Sequence, residues 1–382
     1  MTVSRRLAPF GVTIFTEMTQ LAVEHGAINL GQGFPNWDGA DFVKEAATRS
    51  MADGGNDQYP PSPGILSLRE KLAEHYGAHL GRELDPATEV TVTGGCTEAL
   101  AASCLGLLDP GDEVVIIEPF YDAYPVDVAL AGATSRFVTL EPPEFALVAE
   151  ELRQVFNERT RAIIVNNPHN PTGRVYTAEE LGAIAELCRE FDVIAICDEV
   201  YEEMVYDAEH LRLATFDGMW DRTLTLSSLG KTFSLTGWKV GWAIGPASLT
   251  AGLRSAHQFL TFTTPTPVQH GAVAALEAPP VFFEEMRTDY RSKRDLLSAG
   301  LETAGFDVYP SQGTYFLMAG HAEAGDDKEF CRRMAVDGGV VAIPPSVFYS
   351  DPSSGAGLVR FAFCKDEDTL KEAIGRISTF MS

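Results

Sequence analysis

The sequence predicts an α/β protein with a large domain built on a mostly parallel seven-stranded sheet covered by helices, and a smaller α+β domain. Two observations carry this reading. Short, almost wholly apolar runs fall at 89–93, 113–117, 136–140, 162–165, 193–197, 223–226 and 240–244, with helical stretches between most of them. Strands apolar on both faces, alternating with helices, belong in a parallel sheet covered on both sides. The pattern changes after Pro279-Pro280, where a long amphipathic stretch leads into a segment of mixed character.

In chain order, the first ~10 residues are basic and turn-rich and read as an arm. A helix is expected at 15–25 and a short apolar piece at 27–30, entering Gly31-Gln32-Gly33-Phe34-Pro35. Helices at 41–51 and 66–75 flank a loop whose Gly54-Gly55 and Pro60-Pro61 pairs interrupt regular structure. Within the sheet region helices fall at 97–108, 124–131, 147–156 and 178–190, and another follows the last strand at 249–259. Beyond 279 come a helix at 282–304, strands at 314–318, 340–343 and 358–363, and a helix at 367–380. The arm and part of the small domain thus occupy 1–40, the large domain 41–279, and the small domain with its connecting helix 280–382.

Composition excludes several classes of function. The 382 residues carry 29 Lys+Arg against 54 Asp+Glu, a net charge of −25. Such a surface repels nucleic acid and anionic membrane, so neither partner is expected. The longest apolar stretch, 99–108, is far short of the ~20 residues a membrane span requires. Arg5-Arg6 is not followed by the apolar core of an export signal. The 6 cysteines include no C-x-x-C pair, and Cys residues in apolar runs read as buried reduced thiols. A cytoplasmic protein is expected.

Three motifs invite misreading. Gly31-Gln32-Gly33 begins like a dinucleotide fingerprint, but Asn36 takes the third glycine position and Pro35 interrupts any helix. Gly230-Lys231-Thr232 ends like a phosphate-binding loop, but the glycine required before it is Thr225. His75 and His79 share a helix face with no further ligand cluster, so no metal site is expected.

A different constellation gathers at one sheet edge. The buried strand 193–197 ends on Asp198, which points to the crevice where open α/β sheets bind ligands. The strand 223–226 ends on Ser227-Ser228-Leu229-Gly230-Lys231, a small-residue turn that delivers a lysine to the same edge. Lys239 follows as a cation within an otherwise apolar strand. Asn166 to Gly173 offer amide groups on a proline-stiffened loop, and Gly94-Gly95-Cys96-Thr97 opens a helix whose N–H groups suit a phosphate. An acid, a lysine and a phosphate cup together fit a phosphorylated aromatic cofactor.

The segments Asn170-Pro171-Thr172-Gly173, Asp198-Glu199-Val200-Tyr201, Ser227 to Lys231 and Gly237 to Gly241 resemble those of class I pyridoxal-phosphate aminotransferases of fold type I. The resemblance covers essentially the whole chain. Asn29 to Pro35, Ala342 to Tyr349 and Val359 to Phe363 resemble the branch of kynurenine/glutamine transaminases, methionine aminotransferases and succinyldiaminopimelate aminotransferases. The resemblance implies pyridoxal 5'-phosphate as cofactor, with Lys231 as the Schiff-base lysine. Asp198 would pair with the pyridine nitrogen, Tyr201 and Asn170 would bond the ring's 3-oxygen, and Tyr121 would stack on the ring. Cys96, Thr97, Ser228 and Lys239 would hold the phosphate. Tyr59 would reach the phosphate of the neighbouring subunit, which implies a homodimer. Arg360 would grip the substrate α-carboxylate, with Gly33 and Asn166 assisting.

The expected reaction moves an amino group between a neutral, large or hydrophobic L-amino acid and a 2-oxo acid. N-succinyldiaminopimelate transamination and β-elimination from a cysteine conjugate are the alternatives. Phe15, Phe34, Trp37, Phe262 and Phe348 are candidates for an apolar pocket or for ordinary core packing. A cofactor-binding regulatory domain is disfavoured because Lys231, Asp198 and Arg360 are all present.

Overall fold

Val114, Val115, Ile116 and Ile117 are consecutive and all buried, so the strand they form has no solvent face. The same holds for 162–165 and 194–197. In the computed structural model, which describes residues 3–11 and 13–382, these runs are the middle of one sheet. In chain order the strands are β1 (Ile28–Asn29), β2 (Val90–Thr93), β3 (Glu113–Glu118), β4 (Thr134–Thr139), β5 (Thr160–Asn166), β6 (Ile194–Asp198), β7 (Thr223–Ser228) and β8 (Gly241–Ile244). After them come β9 (Asp307–Val308), β10 (Phe316–Gly320), β11 (Val340–Val341) and β12 (Leu358–Ala362).

The large sheet is 7-stranded in the order β2-β8-β7-β6-β5-β3-β4. Its pairs are parallel except at β8, which runs antiparallel to both β2 and β7. The segment between β7 and β8 folds into the short helical turns Leu229–Thr232 and Thr236–Trp238 rather than a helix crossing the sheet, so the chain turns back beside β7. That turn carries both Lys231 and Lys239.

The helices before the sheet are α1 (Ile14–His25), α2 (Asp41–Ala52) and α3 (Leu66–Leu80). Those interleaved with it are α4 (Cys96–Leu107), α5 (Ala123–Ala131), α6 (Ala149–Val155), α7 (Ala178–Glu190) and α8 (Leu229–Thr232). There follow α9 (Ala247–Leu260), α10 (Thr266–Leu276), α11 (Pro280–Thr303), α12 (Asp327–Val336) and α13 (Glu367–Phe380). Thr177 and Glu180 close a capping box at the start of α7. Helix α4 lies directly on α9 because a side chain at Gly106 would fall inside the Gly252 carbonyl. This close crossing fixes the helix whose N-terminus faces the site.

The C-terminal elements form a second, antiparallel sheet in the order β12-β10-β9. Strand β1 pairs in parallel with β11, tying the N-terminal segment to the C-terminal one. Of the expected arm, residues 1 and 2 lie outside the described residues, and Arg6 donates to the Leu130 carbonyl at 3.0 Å.

Several expectations shift. The helix expected at 66–75 continues to Leu80 and stops at Gly81, whose φ of 63° is left-handed. Helices α10 and α12 had no counterpart in the sequence reading. The first is a low-contrast stretch dominated by Ala and Val, whereas α12 is capped by Asp326 and buries Phe330, Cys331, Met334 and Ala335 at helical spacing. Lys239 does not lie in a strand. It sits exposed at φ 53° in the turn before β8, which resolves the puzzle of a cation within an apolar strand.

Candidate active site

Strands β6 and β7 end side by side, with Asp198 opposite Leu226. Beyond their carboxyl ends opens a cavity of about 190 Å³. Cys96, Thr97, Tyr121, Asn166, Asn170, Asp198, Tyr201, Ser228, Lys231 and Lys239 all line it. Residues that end β5, β6 and β7 and residues that open α4 and α8 thus meet in one crevice, the place where open parallel sheets collect function.

Asp198 forms its floor. Its Oδ2 accepts from the Tyr124 hydroxyl at 2.8 Å, and its Oδ1 accepts from the Val200 N–H at 3.3 Å and from the Cys96 thiol at 3.6 Å. Burial pushes the carboxyl above its usual range, and these neutral donors and Lys231 pull in the opposite direction. Lys231, on α8, donates from Nζ to the Tyr315 hydroxyl at 3.1 Å. Burial depresses its amine.

The opposite wall is an anion cup. Helix α4 has no side-chain cap at Gly95, so its first turn presents free N–H groups. The Lys239 ammonium reaches the same turn and lies 3.5 Å from the Thr97 hydroxyl. Two glycines permit this approach. Gly95 has φ 82°, and a Cβ on Gly241 would stand 2.6 Å from the Cys96 nitrogen.

Arg360 comes from β12 and stands beside the cavity rather than in its lining. It is only 1% exposed. Its Nη1 donates to Asn170 Oδ1 at 3.2 Å and its Nη2 to the Gly31 carbonyl at 2.6 Å, while Nε has no partner among the described residues. Among the described residues none of its hydrogen bonds goes to a carboxylate. Burial among the rings of Phe316, Phe348 and Phe15, at 4.2, 5.1 and 5.3 Å from the guanidinium carbon, lowers its pKa to about 10. An arginine held in this way is a ready receptor for a carboxylate. Asn166 links the two halves, donating to the Asp198 carbonyl at 2.9 Å and accepting the Asn170 N–H at 2.7 Å.

The remaining expected residues fall outside this lining. Gly33 meets the site through its carbonyl, which accepts from the Tyr315 hydroxyl. Tyr59 lies elsewhere on the surface, 83% exposed and edge-on to Phe262 at 5.4 Å. Of the candidate pocket aromatics, Phe15 and Phe348 gather at Arg360, while Trp37 covers Lys293, Phe34 covers Lys365 and Phe262 meets Tyr59. Sequence reasoning missed Tyr124 and Tyr315. Tyr124 stands three positions after the singled-out Tyr121, in the first turn of α5, and both line the crevice.

All 6 cysteines of the chain are free and buried. Among the described residues, no helix is long and apolar enough to cross a membrane.

A strand-end acid, a lysine on the following strand's turn and an open helix N-terminus define a protein class. The chain belongs to the class I and II aminotransferases, whose family model matches residues 25–377. It is a transaminase. A probable N-succinyldiaminopimelate aminotransferase of Mycobacterium tuberculosis is 50% identical over 392 residues, covering 99% of this chain and 98% of that protein. A solved structure of that enzyme superposes with a TM-score of 0.96 at 49% identity, covering 100% of both chains. A kynurenine–oxoglutarate transaminase of Dictyostelium discoideum is 40% identical, covering 97% of this chain and 94% of its own.

Proposed function

We propose that this aminotransferase uses pyridoxal 5'-phosphate bound at Lys231 and exchanges an amino group between a neutral, large or hydrophobic L-amino acid and a 2-oxo acid. The donor set fits that cofactor. Asp198 is a buried carboxylate hydrogen-bonded by neutral groups, and a protonated pyridine nitrogen is the cation it lacks. The open N-terminus of α4 at Cys96 and Thr97, with Ser228 and Lys239, suits a phosphate. Tyr121 would stack on the ring, and Tyr201 and Asn170 would bond its 3-oxygen. When bound, the cofactor supplies an electron-withdrawing ring for the electrons of a broken Cα–H bond.

The chain's own residues do the rest. Arg360 binds the α-carboxylate, with Gly33 and Asn166 beside it, and so fixes where the Cα–H bond points. Lys231 Nζ takes that proton. Its depressed pKa favours the neutral amine that a base must be. Asp198 stays ionised against the ring's charge. Tyr59 is assigned to the partner's phosphate in a homodimer, consistent with its exposure. The division at 1–40, 41–279 and 280–382 and a cytoplasmic location belong to the same proposal.

The observation that carries the reading of an amino-acid substrate is Arg360, hydrogen-bonded to neutral oxygens in its cage of phenyl rings. The 50% identity to a succinyldiaminopimelate enzyme favours that amino acid as a second reading. The test is the visible spectrum of the protein with glutamine, methionine, kynurenine and N-succinyldiaminopimelate in separate cuvettes. Bleaching by one donor and return with a 2-oxo acid establishes the exchange and ranks the donors. A persistent band with accumulating pyruvate from a cysteine conjugate would mark a lyase. A chain that cannot be reconstituted with pyridoxal phosphate would refute the proposal.

A further inference from the structure

Tyr315 is fully buried, yet its hydroxyl sits at a junction. It accepts from Lys231 Nζ at 3.1 Å and donates to the Gly33 carbonyl. A phenol that gives its proton to Gly33 has only lone pairs left to offer the amine. The contact depends on Gly33, because a Cβ there would stand 2.6 Å from the Tyr315 ring. The backbone just before it is strained. Thr314 has φ 64°, a left-handed conformation that is a true outlier for a β-branched residue. Three hydrogen bonds hold it there. Its N–H donates to the Met204 carbonyl at 2.9 Å, its Oγ1 accepts from the Phe316 N–H at 3.0 Å, and its carbonyl accepts from the Tyr206 hydroxyl. Strain of this kind survives where the surroundings over-determine it, and such places cluster at functional sites.

The loop that receives Tyr315 also receives Arg360, whose Nη2 donates to the Gly31 carbonyl. One short segment therefore anchors both the lysine and the arginine. We propose that Tyr315 is a positioning residue for proton transfer, its hydroxyl holding the free Lys231 amine in register with the carboxylate seat at Arg360. This rests on the reading of Lys231 as the proton carrier.

The groups facing Lys231 are Asp198 from β6, Arg360 from β12 with Cys364 just beyond it, Lys239 from the turn before β8, and the rings of Tyr201 and Tyr315. A hydrogen bond accepted by Tyr315 favours the charged form of the amine. Its loss lowers the lysine pKa further and moves the acid limb of the rate profile to lower pH.

The test compares Tyr315→Phe, Tyr315 replaced by 3-fluorotyrosine, and Lys231→Ala. Two readouts are needed. One is exchange of the substrate Cα proton in heavy water with the loaded enzyme. The other is the pH dependence with which the cofactor-free chain captures pyridoxal phosphate, which reads the amine directly. For Tyr315→Phe the expected result is exchange slowed about tenfold at unchanged KM, with both pH profiles shifted downward. The fluorinated ring, a weaker acceptor of nearly the same shape, shifts them in the same direction by less. Native exchange and native profiles in either Tyr315 variant would overturn the proposal while leaving Lys231's role intact. Exchange that survives Lys231→Ala would overturn that role, and this inference with it.

Discussion

Replacing Arg360 by lysine separates substrate binding from cofactor binding. Lysine keeps the positive charge but loses the planar fork that meets a carboxylate with two parallel hydrogen bonds. It also abandons two oxygens that Arg360 now satisfies, Asn170 Oδ1 at 3.2 Å and the Gly31 carbonyl at 2.6 Å. A hydrogen bond to a charged group contributes about 1.5–3 kcal/mol, so losing one to the substrate costs about 2–3 kcal/mol. That raises the apparent dissociation constant of both amino acid and 2-oxo acid about 30- to 150-fold. Pyridoxal phosphate affinity falls far less, by at most about fivefold through the loosened Asn170, because Arg360 itself stands outside the cavity lining. The assay titrates the visible band with the best donor and, separately, reconstitutes the cofactor-free variant. Parallel losses for donor and cofactor would refute the assignment, since they would mark Arg360 as a structural strut.

Gly241→Ala places a methyl group against the Gly95–Cys96 backbone, so it should open the anion cup and weaken cofactor binding at least tenfold, at a stability cost of about 1–3 kcal/mol. Unaltered affinity in a reconstitution titration would show that the cup does not hold the phosphate. Asp127 is buried with Oδ2 unpartnered among the described residues, and burial raises its pKa to about 7 from an ordinary 3.8. Its folded form therefore holds a proton that the unfolded chain releases, so its cost to stability is nil below pH 3.8 and complete above about pH 7. Asp127→Asn should accordingly gain up to ~3 kcal/mol relative to the parent between acid and pH 8, read from urea unfolding at both. A pH-independent difference would remove Asp127 as the cause. Arg212 pairs with Glu199 and Glu202, and although burial pushes Glu202 upward, Arg212 leads the groups that hold it down at about 2. Arg212→Met leaves both carboxylates buried without that partner and should cost about 3–5 kcal/mol by urea unfolding, whereas a loss under about 1 kcal/mol would mean the pairs are dispensable.

Most of the large sheet was legible because its strands are buried on both faces, and local composition alone marks such strands. The edge strand β4 was less clear. It was expected at 136–140 but lies at Thr134–Thr139, where half-exposed residues blur the apolar signal. The antiparallel course of β8 was not anticipated, since hydropathy carries no strand direction. Asp198 was found because it directly follows an apolar strand and Lys231 because it lies on the short turn after one, and strand ends are where such sheets place chemistry. Tyr315 left no comparable signal. It looks like any aromatic residue beside an apolar strand, and only the fold brings its hydroxyl to a lysine 84 positions earlier.

The sequence by itself determined the strand–helix alternation, the family, and the residues that end β6 and β7. Those features are local, written within a few residues of backbone and burial preference. What Arg360 meets was decided only in three dimensions. Its partner at Gly31 is 329 positions away, and their meeting depends on β1 pairing with β11 while Arg360 bridges to Ile343 just beyond β11. Strand pairing on that scale is set by global packing, because a local pattern fixes which face of a strand is apolar but not which strand lies beside it.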